Sequence, residues 1–396
     1  MLDEKNITDR IELICDGVNA WLANEDGILE ESVNRTVADG LFPKHDVQHM
    51  LDQAGRTITP QALSSWVDKI STTKKGPSGP ENFTNNAEYS RAGTDETAFP
   101  NPDQKVLCLH AGNLPMVGLQ DIIATLLSGS IYFGKLSRND PWLLDGLLQV
   151  LEKRLPEQIG GWSIRLDDMN VTNAGVVLFA GSQASIEMVL KRIKELGLAG
   201  DNSRILARTA RFSLAWLDEA DFRSDSERLC KRLIEAMLRY EGRGCRSVAV
   251  VIADRDLSVF AGSLLDAADV FIRSNPPSNL KNSGVGYWKS YLRSTGRDVF
   301  DLGGQIITDD PDLIGKQNVI CWIKGSDEEV IRLAERFGHQ LQSVYVNAAR
   351  DAVSEKAMYR MAGAGGVRLE PLSDAQTPPV DWQPDGVDVL YWLCGF

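Results

Sequence analysis

Histidine is scarce in this chain, and its cysteines form no pattern. The 396 residues include 4 histidines and 6 cysteines, the latter at 15, 108, 230, 245, 321 and 394 with no C-x-x-C pair. That leaves no Cys/His zinc module and argues against a disulfide framework. Apolar runs are short as well. The longest, such as 175–180 and 247–253, fall far below the ~20 residues of a membrane span. Basic residues are outnumbered, 42 Lys and Arg against 55 Asp and Glu, for a net charge of −13. A chain this acidic is a poor general binder of nucleic acid, although a local pocket for one nucleotide stays open. The first ten residues hold Asp3, Glu4 and Asp9 and no apolar core, so they do not read as a signal peptide. A cytoplasmic protein with reduced thiols is expected. Three familiar fingerprints are also missing: G-x-G-x-x-G after a strand, G-x-x-x-x-G-K-[ST] and G-x-S-x-G. His45 and His49 have the spacing of a helical zinc pair, but no third ligand is identifiable, and no metal site is expected.

What is present fits a globular protein. Hydrophobic residues make up 43% and charged residues 24%. At roughly 150 residues per domain, two or three domains are expected. Residues 1–72 read as helical: Ile7, Ile11, Ile14, Val18 and Leu22 fall on one face, and Leu29, Val33, Val37 and Leu41 repeat the pattern. Thr59-Pro60 predicts a helix start. Residues 73–104, rich in Gly, Pro, Asn and Ser, read as a loop or linker. Strands and helices then alternate. Strand-like runs at 106–109, 131–133 and 176–179 are separated by helices at 117–127 and 141–153, and a helix at 183–196 follows. The pattern restarts with strands at 212–217, 248–253, 318–323 and 341–346. This alternation predicts an α/β fold with largely parallel sheets.

Four segments could carry chemistry. In Tyr240-Glu241-Gly242-Arg243-Gly244-Cys245-Arg246, a cysteine follows a glycine-bearing turn and precedes a strand. Nearby Arg243 and Arg246 would favour the thiolate, which is the nucleophile; a structural cysteine beside a turn is the plainer reading. Cys108 and Cys321 lie in apolar strands and read as buried. In His110-Ala111-Gly112-Asn113-Leu114-Pro115, Asn113 follows a strand end, where its amide could donate to an oxyanion or merely satisfy a turn. In Gly134-Lys135-Leu136-Ser137-Arg138, two cations follow another strand end. They could hold ribose and phosphate, or be a solvated pair. Gly181-Ser182 opens a helix whose N–H groups could face a diphosphate, or is an ordinary turn.

Together these segments resemble the aldehyde dehydrogenase superfamily, and more narrowly the acyl-CoA reductases related to the reductase subunit of the bacterial luminescence fatty-acid reductase complex. The ordered set carries the likeness: Gly-Asn-x-Pro, Gly-x4-Gly-Lys-x-Ser, Phe-x-Gly-Ser, then Gly-x-Gly-Cys before a strand. It covers 105–260 well and Trp382 to Leu393 loosely. By this resemblance Cys245 matches the catalytic cysteine and Asn113 the oxyanion-hole asparagine. Lys135 and Ser137 match the element that contacts the adenosine ribose, and Gly181 and Ser182 the turn facing the diphosphate. The nucleotide of this superfamily lies on a Rossmann-like sheet that lacks the usual glycine fingerprint.

The resemblance implies an α/β, aldehyde-dehydrogenase-like fold with a helical N-terminal region. A nucleotide-binding domain would span 105–212, with 365–396 packing back on it. A catalytic domain at 213–364 would carry Cys245, with the active site between the two. Oxidising members carry a Glu as general base for hydrolysis, a role worth roughly 10²–10⁴-fold. The matching stretch here, Ala207 to Phe212, has no carboxylate, which favours reduction. Arg138 stands where an acid would bind the ribose 2′-hydroxyl, so the expected cofactor is NADPH, with NADH as the alternative. The expected reaction is reduction of an acyl-CoA, of fatty acyl type, to the aldehyde through an acyl-cysteine on Cys245. An acyl carrier and an acyl-donating synthetase partner are the alternative donors, and a homo-oligomer is implied. Two other readings stand: a cysteine acyltransferase or thioesterase using Cys245 with His110 as base, and a non-catalytic scaffold.

Overall fold

The computed structural model describes residues 4–73, 103–278, 283–347 and 368–395. The loop expected at 73–104 lies almost wholly outside these residues. The described residues form two compact bodies, one from Met1–Thr209 with Pro379–Phe396 and one from Ala210–Pro378.

The first body opens with four helices, α1 (Glu4–Leu22), α2 (Ile28–Ala38), α3 (Lys44–Thr57) and α4 (Pro60–Thr73). Ile11, Ile14 and Val18 are buried on α1 as their spacing predicts, joined by Cys15 and Trp21. On α2 the buried residues are Ser32 and Thr36, while Leu29, Val33 and Val37 are only half-buried. The reason is a close approach to Gly146, where a β-carbon would stand 2.4 Å from Ser32 Oγ. Only a small side chain fits there. The start of α4 is as expected, with Ala62 N–H donating to Thr59 Oγ1 at 3.2 Å.

A five-stranded sheet follows. Its elements are β1 (Lys105–Leu109), α5 (Leu119–Ser128), β2 (Ile131–Lys135), α6 (Trp142–Arg154), β3 (Ile159–Ser163), β4 (Ala174–Ala180), α7 (Gln183–Glu195) and β5 (Ala199–Arg208). The strand order is β3-β2-β1-β4-β5 and every pairing is parallel. Leu107 and Val177 are fully buried, as expected of strands covered on both faces. β3 and β5 are not foreseen by the sequence pattern. Gly160-Gly161 and Gly200-Asp201-Asn202-Ser203 are residue types common in turns, yet each lies at a register shift within a strand. A bulge tolerates such residues inside a ladder.

The second body holds β6 (Phe212–Leu217), α8 (Glu219–Leu238), β7 (Val248–Ala253), α9 (Leu257–Ser274), α10 (Ser283–Ser294), β8 (Val299–Asp301), β9 (Ile306–Thr308), β10 (Val319–Lys324), α11 (Asp327–Phe337), β11 (Leu341–Val346) and β12 (Arg368–Pro371). The order is β12-β11-β6-β7-β10-β9-β8, parallel except for β8 with β9. Asp218 and Asp221 cap α8 reciprocally, each carboxylate accepting the other's N–H.

The tail is divided. Residues 368–371 extend the second sheet through β11. From 379 onward it bonds to the first body and ends in α12 (Val389–Leu393). Trp66 Nε1 donates to Asp388 Oδ1 at 3.0 Å, and Gln120 Nε2 to Val380 O at 2.8 Å. The Arg204 guanidinium lies 4.5 Å over the Trp392 ring. No described helix is long and apolar enough to cross a membrane.

Candidate functional site

In the first sheet the chain runs outward through β2 and β3 on one side of β1, and through β4 and β5 on the other. The order therefore reverses between β1 and β4, where ligands of open α/β sheets bind beyond the carboxyl ends of the strands. Three of the sequence-derived segments meet at this edge. β1 leads into the loop carrying Asn113, which is exposed. β2 ends at Lys135 and leads to buried Ser137 and exposed Arg138. β4 leads into Gly181-Ser182, and Ser182 is the N-cap of α7 with no side-chain bond to the helix N–H groups. Its hydroxyl bonds instead to Ser185 Oγ at 2.9 Å. The cap side chain thus takes none of the first-turn N–H groups, and the Ser185 N–H donates to the Ser182 carbonyl at 3.0 Å. Burial, and then the charge of Arg138, hold the Lys135 ammonium below its ordinary pKa. Two cations sharing one edge leave a positive field suited to phosphate.

The loops interlock. A β-carbon on Gly112 would stand 1.9 Å from Ser137 Oγ. Asp140, which sequence reasoning passed over, accepts the Met116 N–H on Oδ2 at 2.5 Å. The available signal was Asn139-Asp140-Pro141 ahead of a helical run, a capping signature.

His110 is sealed in the core of the first body. Its side chain is fully buried, with Nε2 2.8 Å from Tyr132 Oη and Nδ1 3.8 Å from Asp121 Oδ2. Asp121 also takes a two-pronged bond from Arg208, at 2.8 and 2.5 Å. Burial pushes the imidazole down to about 4, so it is neutral. A neutral histidine sealed in a core network has no access to a substrate, which removes it as the base of a Cys–His mechanism. His339, the other histidine outside the N-terminal helices, is exposed in the turn after α11.

The stretch Ala207 to Phe212 lacks a carboxylate in sequence, but the fold supplies one. Asp385 of the tail accepts the Thr209 N–H on Oδ2 at 2.7 Å. Local sequence could not show this, because 176 residues separate the two.

Cys245 lies in the second body, just before β7. It is partly exposed, whereas the other five cysteines are buried. The turn ahead of it is tighter than two glycines suggest. Tyr240, Glu241 and Gly242 are successive left-handed residues, with φ of 55°, 55° and 67°. α8 stops at Leu238, since its C-cap Arg239 has already left the helical region, with ψ of 137°. Side chains cost more than glycine in that region, and this turn is clamped. Glu241 Oε1 accepts the Ser278 N–H at 2.6 Å, and Oε2 accepts from Arg243 Nη2 at 2.5 Å. The charge of Arg243 is thereby matched by Glu241 and less available to a thiolate. Arg246 is buried. Ser213 Oγ donates to the Cys245 carbonyl at 3.0 Å, fixing the cysteine backbone to β6. Among the described residues no three His, Cys, Asp or Glu side chains gather as metal ligands.

Residues 82–261, which include every candidate residue from Asn113 to Cys245, match the family described as acyl-CoA reductase (LuxC). None of the curated proteins matches the sequence. Among solved structures, aldehyde dehydrogenase 21 of Physcomitrella patens, in complex with the reaction product succinate, is similar with a TM-score of 0.63 at 13% identity. That match covers 98% of this chain and 84% of that one. The indole-3-acetaldehyde dehydrogenase AldA of P. syringae, solved with NAD+ and IAA, has a TM-score of 0.60 at 12% identity, covering 92% and 76%. An oxidoreductase of Marinobacter aquaeolei gives 0.60 at 13% identity, covering 98% and 81%. At such identities the likeness is one of fold.

Proposed function

We propose that this chain, whose residues 82–261 match the acyl-CoA reductase (LuxC) family, reduces an acyl-CoA thioester to the aldehyde with NADPH through an acyl group held on Cys245. One observation carries the reading. Of six cysteines only Cys245 is not buried, and it stands on a clamped left-handed turn inside the matched segment.

The Cys245 thiolate attacks the thioester carbonyl. The Asn113 amide and the Cys245 N–H receive the oxyanion. CoA leaves as its thiolate, and the acyl group remains on Sγ. Such oxyanion donors are worth about 2.7–4 kcal/mol each. A dinucleotide suits the edge of the first sheet by the chemistry of the groups there. Lys135 and Ser137 would hold the adenosine ribose, Gly181 and Ser182 the diphosphate at the start of α7, and Arg138 a 2′-phosphate. The bound nicotinamide supplies the hydride that brings the acyl group to the aldehyde level. Arg138 is exposed and stands where an acid would bind the ribose 2′-hydroxyl, which favours NADPH over NADH. Hydrolysis of the acyl-enzyme is disfavoured, since the stretch Ala207 to Phe212 holds no carboxylate to act as general base. The acyl donor is CoA, with a carrier or synthetase partner as the other sources.

The test is an assay with long-chain acyl-CoA and NADPH, following nicotinamide oxidation while trapping aldehyde. Equal amounts of the two products are expected. Cys245→Ala should lose more than about 10³-fold. Full activity in that variant would end the reading. Release of CoA without nicotinamide oxidation would support a thioesterase or acyltransferase instead.

A further inference from the structure

Asp140 is 2% exposed, and one of its carboxyl oxygens, Oδ1, has no hydrogen-bond partner. Burying a carboxyl group is costly, and serine or asparagine would cap α6 as well. What sets Asp140 apart is the pair of loops it joins. Its Oδ2 accepts the N–H of Met116, three residues beyond Asn113 in the loop after β1. The Leu143 N–H, in the first turn of α6, bonds to the same carboxyl group. Met116 is left-handed, with φ of 54°, a conformation side chains disfavour. Its N–H is thus held toward Asp140 against a local preference. On the other side of Asn113, Gly112 backs onto Ser137 with no space for a β-carbon. The loop after β1 is therefore pinned to the loop after β2 both before and after Asn113. Asp140 itself follows Arg138 by two residues.

We propose that Asp140 is a positioning residue that holds the Asn113 loop and the Lys135–Arg138 loop in one geometry, so that the oxyanion donor and the nucleotide contacts are set together. The proposal rests on the roles assigned above to Asn113 and to residues 135–138. Asp140 acts through Met116 and Leu143 and touches no reacting atom. Asp140→Ala removes the acceptor and lets Met116 relax. Asp140→Asn keeps an acceptor oxygen of the same reach.

The experiment compares the full-length wild type with both variants in three measurements. Amide hydrogen exchange reads the peptides covering 111–118 and 136–141. Tryptophan fluorescence reads NADPH binding without an acyl donor. Single-turnover CoA release reads acylation of Cys245 without a nucleotide. Asp140→Ala should speed exchange in both peptides and weaken NADPH binding and acylation by about tenfold each. Asp140→Asn should return both to within about threefold of wild type. Unchanged exchange in Asp140→Ala, loss of only one of the two functions, or failure of Asp140→Asn to rescue would each overturn the proposal. A wild type that neither binds NADPH nor releases CoA would end the functional reading instead. The coupling of the loops would then stand or fall on the exchange data alone.

Discussion

Gly112 and Ser137 lie so close that a β-carbon on the glycine would stand 1.9 Å from the serine Oγ and 2.5 Å from its Cβ. Rotating the hydroxyl relieves only the first contact, because Cβ cannot turn away. The backbone of one loop must therefore move. Gly112→Ala should cost about 1–3 kcal/mol of stability, the usual penalty of overpacking, and weaken nucleotide binding. Urea unfolding together with NADPH titration checks both. A variant with the wild-type midpoint and affinity would show that the contact is slack.

The exposed amide of Asn113 is assigned to the oxyanion, so its loss should appear in kcat rather than in KM. Asn113→Ala is expected to lower kcat by about 10²–10³-fold with little change in the KM for acyl-CoA. Steady-state kinetics decides. An effect confined to KM would make Asn113 a substrate-binding residue.

Arg138 separates the two nicotinamide cofactors. Arg138→Ala should raise the KM for NADPH by about ten- to a hundredfold, the worth of a charge-assisted bond to phosphate, and leave NADH nearly untouched. Parallel titration with both cofactors tests it. Equal losses for the two would take the 2′-phosphate away from Arg138.

Two buried groups give opposite pH dependences. Burial holds His110 down at about 4 against 6.5 in the unfolded chain. On acidification through that window the unfolded state takes up a proton that the folded state refuses, so stability falls. Burial holds Asp140 up at about 7 against 3.8, opposed by the Met116 and Leu143 N–H groups. On acidification from about 7 the folded state takes up the proton first, so stability rises. The two slopes oppose each other between 6.5 and about 4. Asp140→Asn should remove the second and steepen the loss of stability in acid, by up to about 1.4 kcal/mol per pH unit. Urea midpoints across the window measure it. Parallel curves for variant and wild type would contradict the assignment.

The sequence by itself determined the local elements and the candidate groups. Short apolar runs such as Val106 to Leu109 and Val248 to Ala253 became central parallel strands, because burial on both faces leaves a continuous apolar signature. The turn before Cys245 was marked by its glycines, and the ordered motifs placed Asn113, Lys135, Ser137 and Gly181 at strand ends. Other features had no local signature. β3 and β5 were hidden, because bulges let glycine and polar residues sit in a ladder. His110 reads as an available base in sequence, yet its ring is sealed by Tyr132 and Asp121, which reach it from β2 and α5. Asp385 reaches Thr209, and Asp140 reaches Met116, only because strand order and chain return bring distant residues together. Periodicity reports which face of an element is buried. Which groups meet at the edge of a sheet depends on the order in which its strands are laid side by side, and that is settled by packing of the whole chain.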